Sequence, residues 1–208
     1  MNIKNFENFN DIYCGDDLYD HNYEEMDEYK NFVQTNPKII NVQNQLAKGG
    51  KVCYFGTLSF QYDLQPDEAI RAASVHWRRV QKHALGRNWI KKGIAPLTGL
   101  IVMETHPIFN KMTTRRFSSC HFHHLIYSHP KLDRNKFVAA SGLDRVFVEA
   151  ASGLTHKNKR WQLVSRHGTR VLPVYDTMQI CGYVAKEAWH YEWEWDNRVR
   201  YLCRDGVI

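Results

Sequence analysis

The chain has 208 residues, of which 43% are hydrophobic and 13% aromatic, and its formal net charge is +6, a composition that favours a folded protein with one substantial core. No apolar run approaches the roughly 20 residues that cross a bilayer, and the N-terminus lacks an apolar signal core, so we expect a cytoplasmic protein with no membrane partner. The five cysteines are scattered and form no Cys-x-x-Cys pair, which argues against a disulfide framework and against a structural zinc knuckle.

The first 46 residues differ in charge from the rest of the chain. They hold three lysines against nine acidic residues, a net charge of −6, whereas residues 47–208 hold 25 basic and 13 acidic residues, a net charge of +12. We therefore divide the chain into an acidic N-terminal arm, 1–46, and a basic folded domain, 47–208. An excess of positive charge on the folded part favours a polyanion as partner, with nucleic acid first among the choices.

The folded domain begins with a predicted strand and a predicted helix. Residues Val52–Phe60 are rich in aromatic and β-branched side chains, which fits a mostly buried strand. Pro66 followed by two acids is typical of a helix start, and Gly86 is typical of a helix end. Cations off the apolar stripe of this helix, together with two arginines of a later connection, are candidate DNA contacts or a solvated surface: Arg78, Arg79, Lys82, Arg115 and Arg116.

Two further strands carry the candidate metal ligands. Gly99–Thr105 has an apolar face that ends in Glu104, and Cys120–Tyr127 contains His121 and His123, which project side by side because alternate strand residues share a face. If the strands pair as an antiparallel hairpin, Glu104 lies across from the histidines. Two imidazoles and a carboxylate with open positions suit Mn²⁺ or Mg²⁺ acting on a phosphate. The alternative is a pair of ordinary strand histidines.

The last predicted helix carries a tyrosine and a lysine on one face. Asp176 is typical of a residue that caps the start of a helix. Tyr183 and Lys186, three residues apart, lie on one face of that helix, although such pairs occur by chance on many helices. Residues 161–164 and 171–175 are predicted as strands, and Tyr175 lies at the end of the second.

The order of the predicted elements indicates the fold class. A series of strand, helix, strand, strand, helix, strand and helix predicts an α+β fold, in which a central antiparallel sheet of about five strands is flanked by helices. The stretch 132–151 is predicted to be mostly helical, with Gly142 as a point where the helix can divide.

Three motifs, taken in order, resemble the HUH endonuclease superfamily, and within it the rolling-circle replication initiators of plasmids and single-stranded DNA phages. Phe55–Phe60 resembles the first motif of that family, His121-Phe122-His123 resembles its metal motif, and Tyr183–Lys186 resembles its Tyr-x-x-Lys nucleophile motif. The similarity covers about residues 51–190, and residues 1–50 fall outside it.

The resemblance implies a ferredoxin-like variant of the fold, with the metal site on central strands and the tyrosine helix packed across them. It implies that Tyr183 attacks the scissile phosphate of single-stranded DNA at an origin hairpin, leaving a 5′-phosphotyrosine and a free 3′-OH. Tyr175 is the rival nucleophile. Lys186 would orient that phosphate, Glu104 would be the third metal ligand, and a host helicase would unwind the duplex. An HUH transposase or relaxase, and a non-catalytic nucleic-acid-binding module, are the alternatives.

Overall fold

The computed structural model describes residues 37–61, 64–105, 120–133, 140–155, 162–165, 168–185 and 198–207. In these residues the helices are α1 (Pro37–Lys48), α2 (Pro66–Leu85), α3 (Pro130–Asp133), α4 (Ala140–Ala151) and α5 (Thr177–Ala185). The strands are β1 (Val52–Ser59), β2 (Gly99–Thr105), β3 (Cys120–Tyr127), β4 (Arg170–Pro173), β5 (Val199–Cys203) and β6 (Gly206–Val207). None of the described helices is both long enough and apolar enough to cross a membrane.

The six strands form one sheet in the order β4-β1-β3-β2-β5-β6, and every neighbouring pair is antiparallel. The predicted α+β fold with an antiparallel sheet between helices is therefore confirmed, with six strands rather than about five. The prediction missed the β5–β6 hairpin. The strand predicted at 161–164 is reduced, in its described part, to isolated bridges at Gln162 and Val164.

Local sequence signals fix the two ends of α2. Pro66 stands at its first turn, where a missing backbone N–H costs nothing, and Asp67 and Glu68 follow at the positive end of the helix dipole. At the other end Gly86 has a φ of +94°, and its N–H donates to the Lys82 carbonyl at 3.1 Å. A residue with a side chain rarely adopts that backbone conformation, so the glycine ends the helix as predicted.

Alternation along the strands divides the core between the two faces of the sheet. On one face Leu58, Phe122 and many other buried side chains pack with α2 and α4. On the other face Phe55 and Leu125 pack with α1 and α5. Helices therefore cover both faces, and a side chain on one face is separated by the sheet from the helices on the other.

Helix α1 belongs to the packed structure. Its Val42 and Leu46 are buried in the cluster that also contains residues of α5, and the Gln43 side-chain amide donates to the Met178 carbonyl at 2.7 Å. The boundary predicted between residues 46 and 47 falls inside this helix. Residues 1–36 of the predicted arm lie outside the described residues.

A pair of histidines is buried on the face that α2 covers. His76 is 0% exposed, its Nε2 donates to the Phe147 carbonyl at 2.8 Å, and its ring lies 6.1 Å from that of His124. Burial lowers the pKa of His76 to about 4; the bond to Phe147 opposes this and the charge of Arg79 adds to it. Burial also lowers the pKa of His124 well below its usual range. Both rings are therefore neutral in the folded protein at neutral pH.

We expect the free energy of unfolding to fall as pH decreases from 6.5 towards about 4, because an unfolded histidine takes up a proton there while the folded His76 does not. The slope is about 1.4 kcal/mol per pH unit for each such histidine. Urea unfolding between pH 7 and pH 5 measures it. His76→Gln, which retains an N–H donor for Phe147, should reduce the slope, whereas His83→Gln at an exposed position of the same helix should not. Equal slopes in His76→Gln and the unmodified protein would contradict the prediction.

Candidate metal centre

The register of β2 and β3 places the predicted ligands opposite one another. Glu104 lies directly across from His121, and Val102 lies across from His123, in an antiparallel pair. Side chains that are paired or alternate in this way share one face of a sheet. Glu104, His121 and His123 therefore project together on the face that α1 and α5 cover.

The three side chains meet at their tips. The Nε2 atom of His123 is 2.6 Å from Oε2 of Glu104, the Nε2 atom of His121 is 3.0 Å from the same oxygen, and the two Nε2 atoms are 3.2 Å apart. Glu104 and His123 are 3% and 4% exposed, and His121 is partly exposed. Among the residues that the structure describes, this is the one group of three metal-ligating side chains whose donor atoms converge.

This donor set fits a divalent metal ion. Adjacent ligands of a six-coordinate ion with bonds of about 2.1 Å lie about 3 Å apart, which is close to the observed separations. A buried carboxylate also requires a positive or hydrogen-bonding partner, and a cation at the meeting point would contact all three donors. Imidazole and carboxylate are ligands for several divalent ions, so the set supports a metal site without selecting the metal.

The neighbouring histidine does not belong to this set. His124 follows His123 directly, and successive strand side chains point to opposite faces. Its ring is fully buried, 5.1 Å from the ring of Phe147 and 6.0 Å from that of Trp77, on the side that α2 covers. The candidate ligand pair is therefore His121 and His123, as the strand alternation predicts.

The ring of Tyr183 lies beside the donor set. Its centroid is 5.7 Å from that of His123 and 5.8 Å from that of Phe55, and both contacts are edge-on. The side chain of Tyr183 is half-buried, and that of His121 is also partly exposed. The structure thus brings together the predicted nucleophile and the predicted metal ligands, which are 60 residues apart in the chain when counted from His123 to Tyr183.

Helix α5 positions this tyrosine. The Asp176 carboxylate accepts the N–H groups of Met178 and Gln179 at 2.8 and 3.1 Å, which satisfies free donors at the helix start. Ile180 and Val184 are buried against the sheet, which orients the helix. Tyr183 therefore stands in the last turn of a helix that is fixed both at its start and along one side.

The rival tyrosine is far from the metal centre. Tyr175 is 95% exposed, and its neighbour Val174 donates to the Cys53 carbonyl at the start of β1. The metal ligands lie across from Thr57 and Ser59, near the other end of that strand. Four to six residues at about 3.3 Å each place roughly 13–20 Å between the two positions. The geometry favours Tyr183 over Tyr175 at this centre.

Of the cations predicted as DNA contacts, those that the structure describes do not lie beside the metal centre. Arg78 and Lys82 are exposed on α2, and Arg79 donates to the Ala150 carbonyl at 3.3 Å. Because α2 packs on the opposite face, the sheet separates these three side chains from the donor set. The remaining predicted site residues lie outside the described residues: Lys186, Arg115 and Arg116.

One cation was not predicted on the metal face, which is the face of the sheet that carries Glu104, His121 and His123. Arg170 of β4 lies opposite Thr57, and Thr57 lies opposite His123, so the three form one row across the sheet. Two strand spacings of about 4.8 Å place the Cα atom of Arg170 about 10 Å from that of His123. Neighbouring strand residues point to opposite faces, so the apolar Val171 predicts from sequence that Arg170 points away from the core face that Val171 joins. The sequence gives no local signal that β4 lies beside β1.

Comparison of the chain with protein-family models, with curated proteins and with solved structures finds no match. The family resemblance is therefore carried by the three sequence motifs. The structure adds the convergence of His121, His123 and Glu104 and the contact of Tyr183 with that group.

Proposed function

We propose that this protein is a metal-dependent endonuclease that cuts single-stranded DNA through Tyr183 and stays covalently joined to the 5′ end. The observation that carries the proposal is the contact of the Tyr183 ring with His123. His123 belongs to the donor set of Glu104, His121 and His123, called the three-donor group below. Phosphoryl transfer to tyrosine requires both a phenol and a means of offsetting charge on the phosphate, held close together. The Tyr183 phenol and the three side chains that could hold a metal ion lie on one face of this sheet.

His121, His123 and Glu104 would hold the metal, for which Mn²⁺ or Mg²⁺ is suited. When bound, the ion would polarise the scissile phosphate and offset its developing charge. The Tyr183 phenol would give its proton to solvent as its oxygen attacks phosphorus. The bond from phosphorus to the 3′ oxygen breaks, and that oxygen takes up a proton.

The products suit strand transfer as well as cutting. The new ester between Tyr183 and the 5′ phosphate replaces the broken phosphodiester, so the free 3′-OH can later attack it and rejoin the strands. A free 3′-OH also primes DNA synthesis. We therefore propose nicking of a replication origin, with its hairpin as substrate and a host helicase separating the strands, as the biological role.

Charge on the metal face and on the domain supports DNA as the substrate class. Residues 47–208 carry a net charge of +12, which favours nucleic acid. Arg170 shares a sheet row with His123 and can pair with a phosphate next to the scissile one, since its guanidinium binds phosphate oxygens in a bidentate manner. The predicted roles stay as proposals for three further residues: Lys186 would orient the scissile phosphate, and Arg115 and Arg116 would contact the DNA strand.

End-labelled single-stranded oligonucleotides that cover the candidate origin test the proposal. With Mn²⁺ or Mg²⁺ we expect one cut, an upstream fragment that a DNA polymerase extends, and a downstream fragment retained by the protein on a denaturing gel. EDTA should prevent the reaction. A free 5′-phosphate on the downstream fragment would indicate water as nucleophile and contradict the role of Tyr183. Tight binding without any cut would favour the non-catalytic binding module.

A further inference from the structure

We propose that the outer side of α2 and the loop that follows it bind the phosphate backbone of double-stranded DNA, at a site separate from the metal centre. The six exposed cations that define this α2 surface are Arg71, Arg78, Lys82, Arg87, Lys91 and Lys92. None of them forms an ion pair with another described residue. The inference goes beyond the proposed cleavage and does not depend on the chemistry of Tyr183.

Three of the six cations of the α2 surface form a row along the helix. Arg71, Arg78 and Lys82 are spaced at i, i+7 and i+11, which places them on one side of a helix over about 16 Å. The opposite side of α2 is buried, and Trp77, which is 0% exposed, donates its indole N–H to the Cys203 carbonyl at 3.1 Å. The row therefore stands on a helix that the core holds in place.

The other half lies on a loop with its own anchor. In residues 86–94, Trp89 is 6% exposed and its N–H donates to the Gly86 carbonyl at 3.1 Å. The N–H of Ile94 donates to the Trp89 carbonyl at 3.0 Å, which closes the loop on itself. The three loop cations are thus held next to the C-terminal end of the helix row, and less side-chain and backbone freedom is lost when they bind.

Nearby acids do not neutralise this surface. Of the described acidic side chains, five have partners other than the six cations of the α2 surface: Glu104, Asp144, Glu149, Asp176 and Asp205. The two acids of α2, Asp67 and Glu68, are in its first turn, at the Arg71 end of the row. The positive potential at the other end is available to a polyanion.

The surface chemistry favours duplex over single-stranded DNA. Sites for single strands combine cations with exposed aromatic rings on which bases stack. Both aromatic side chains of residues 66–94, Trp77 and Trp89, are buried, so this surface offers charge without a stacking platform. Contacts to phosphates alone are typical of sequence-independent binding to a duplex. The large exposed apolar side chain of the loop is Ile90, which is a small anchor for a membrane.

The position of the α2 surface makes it independent of the metal centre. Helix α2 packs on one face of the sheet and the three-donor group lies on the other. A duplex bound to α2 therefore does not compete with a single strand at the metal ligands. Duplex DNA next to a nick site would be a ligand that binds α2 without such competition.

Fluorescence anisotropy with a short labelled duplex, over a range of salt concentrations, tests the inference. In the triple variant Arg71→Gln/Arg78→Gln/Lys82→Gln we expect duplex affinity near 0.1 M salt to fall by on the order of tenfold or more. The slope of log K against log salt should decrease by about 0.9 per lost phosphate contact, so by about 2 to 3. A matched control removes three exposed cations from α1, α3 and α4: Lys48→Gln/Lys131→Gln/Arg145→Gln.

Three results would overturn the inference. Unchanged duplex affinity in the α2 variant is one, and an equal loss in the control variant, which would assign the effect to net charge, is another. The third is that the α2 variant loses binding to phosphatidylserine vesicles but keeps its binding to duplex DNA. Tyr183→Phe should bind duplex as the unmodified protein does, so failure of this inference is distinguishable from failure of the proposed cleavage.

Discussion

Alanine in place of His123 is expected to remove Mn²⁺ binding and, with it, DNA cleavage. His123 is 4% exposed, and its Nε2 is 2.6 Å from Oε2 of Glu104, so no other described side chain can replace it at the donor group. Loss of a direct ligand should exceed the roughly 10–100-fold loss of affinity that removal of an outer-shell partner causes. Isothermal titration with Mn²⁺, followed by the oligonucleotide assay on the same samples, measures both effects.

Two controls separate metal binding from folding. His83→Ala changes an exposed histidine of α2 and should bind Mn²⁺ as the unmodified protein does. Added Mn²⁺ should raise the melting temperature of the unmodified protein and of that control, but not of His123→Ala, because only a folded state that binds a ligand is stabilised by it. Mn²⁺ affinity that survives in His123→Ala would show that the three-donor group is not the metal site.

Phenylalanine in place of Tyr183 is expected to abolish the covalent adduct while leaving metal and DNA binding intact. The substitution keeps the ring that contacts His123 and Phe55 and removes only the phenol oxygen that would attack phosphorus. The cleavage rate should fall by on the order of 10⁴ or more, as for other enzymes that lose their nucleophile. Labelled oligonucleotide on a denaturing gel measures the adduct, and Mn²⁺ titration measures the retained metal site.

Tyr175→Phe is the matched control for that variant. Tyr175 is 95% exposed and lies at the opposite end of β1 from the metal ligands, so its hydroxyl should not affect cleavage. If Tyr183→Phe cleaves at the normal rate, the nucleophile lies elsewhere. If Tyr175→Phe loses the adduct instead, the assignment of the two tyrosines is reversed.

The convergence of the candidate metal ligands was predictable because their geometry is local. Strand alternation alone places His121 and His123 on one face, and antiparallel pairing of strands that are neighbours in the chain brings Glu104 across from them. The cap at Asp176 and the stop at Gly86 are likewise set by residues within one helical turn. These features follow from short-range rules that need no knowledge of the whole sheet.

The distribution of cations was not predictable in the same way. The apolar stripe of α2 shows that one side is buried, but it does not reveal which face of the sheet the helix covers. Arg78 and Lys82 are therefore on the side away from the metal ligands, while Arg170 reaches the metal face through the pairing of β4 with β1. Strand order depends on contacts between residues far apart in sequence, for which one sequence holds no local signal.

Mapping the nucleotide on the covalent adduct tests the proposed nucleophile most directly. Trypsin releases residues 171–186 as one peptide that contains both Tyr175 and Tyr183, so fragment ions in tandem mass spectrometry must distinguish them. We expect the phosphodeoxynucleotide on Tyr183, with no modification of Tyr175 and no adduct in the presence of EDTA. A nucleotide on Tyr175 or on another residue, or cleaved DNA with no modified peptide, would contradict a tyrosine endonuclease built on His121, His123, Glu104 and Tyr183.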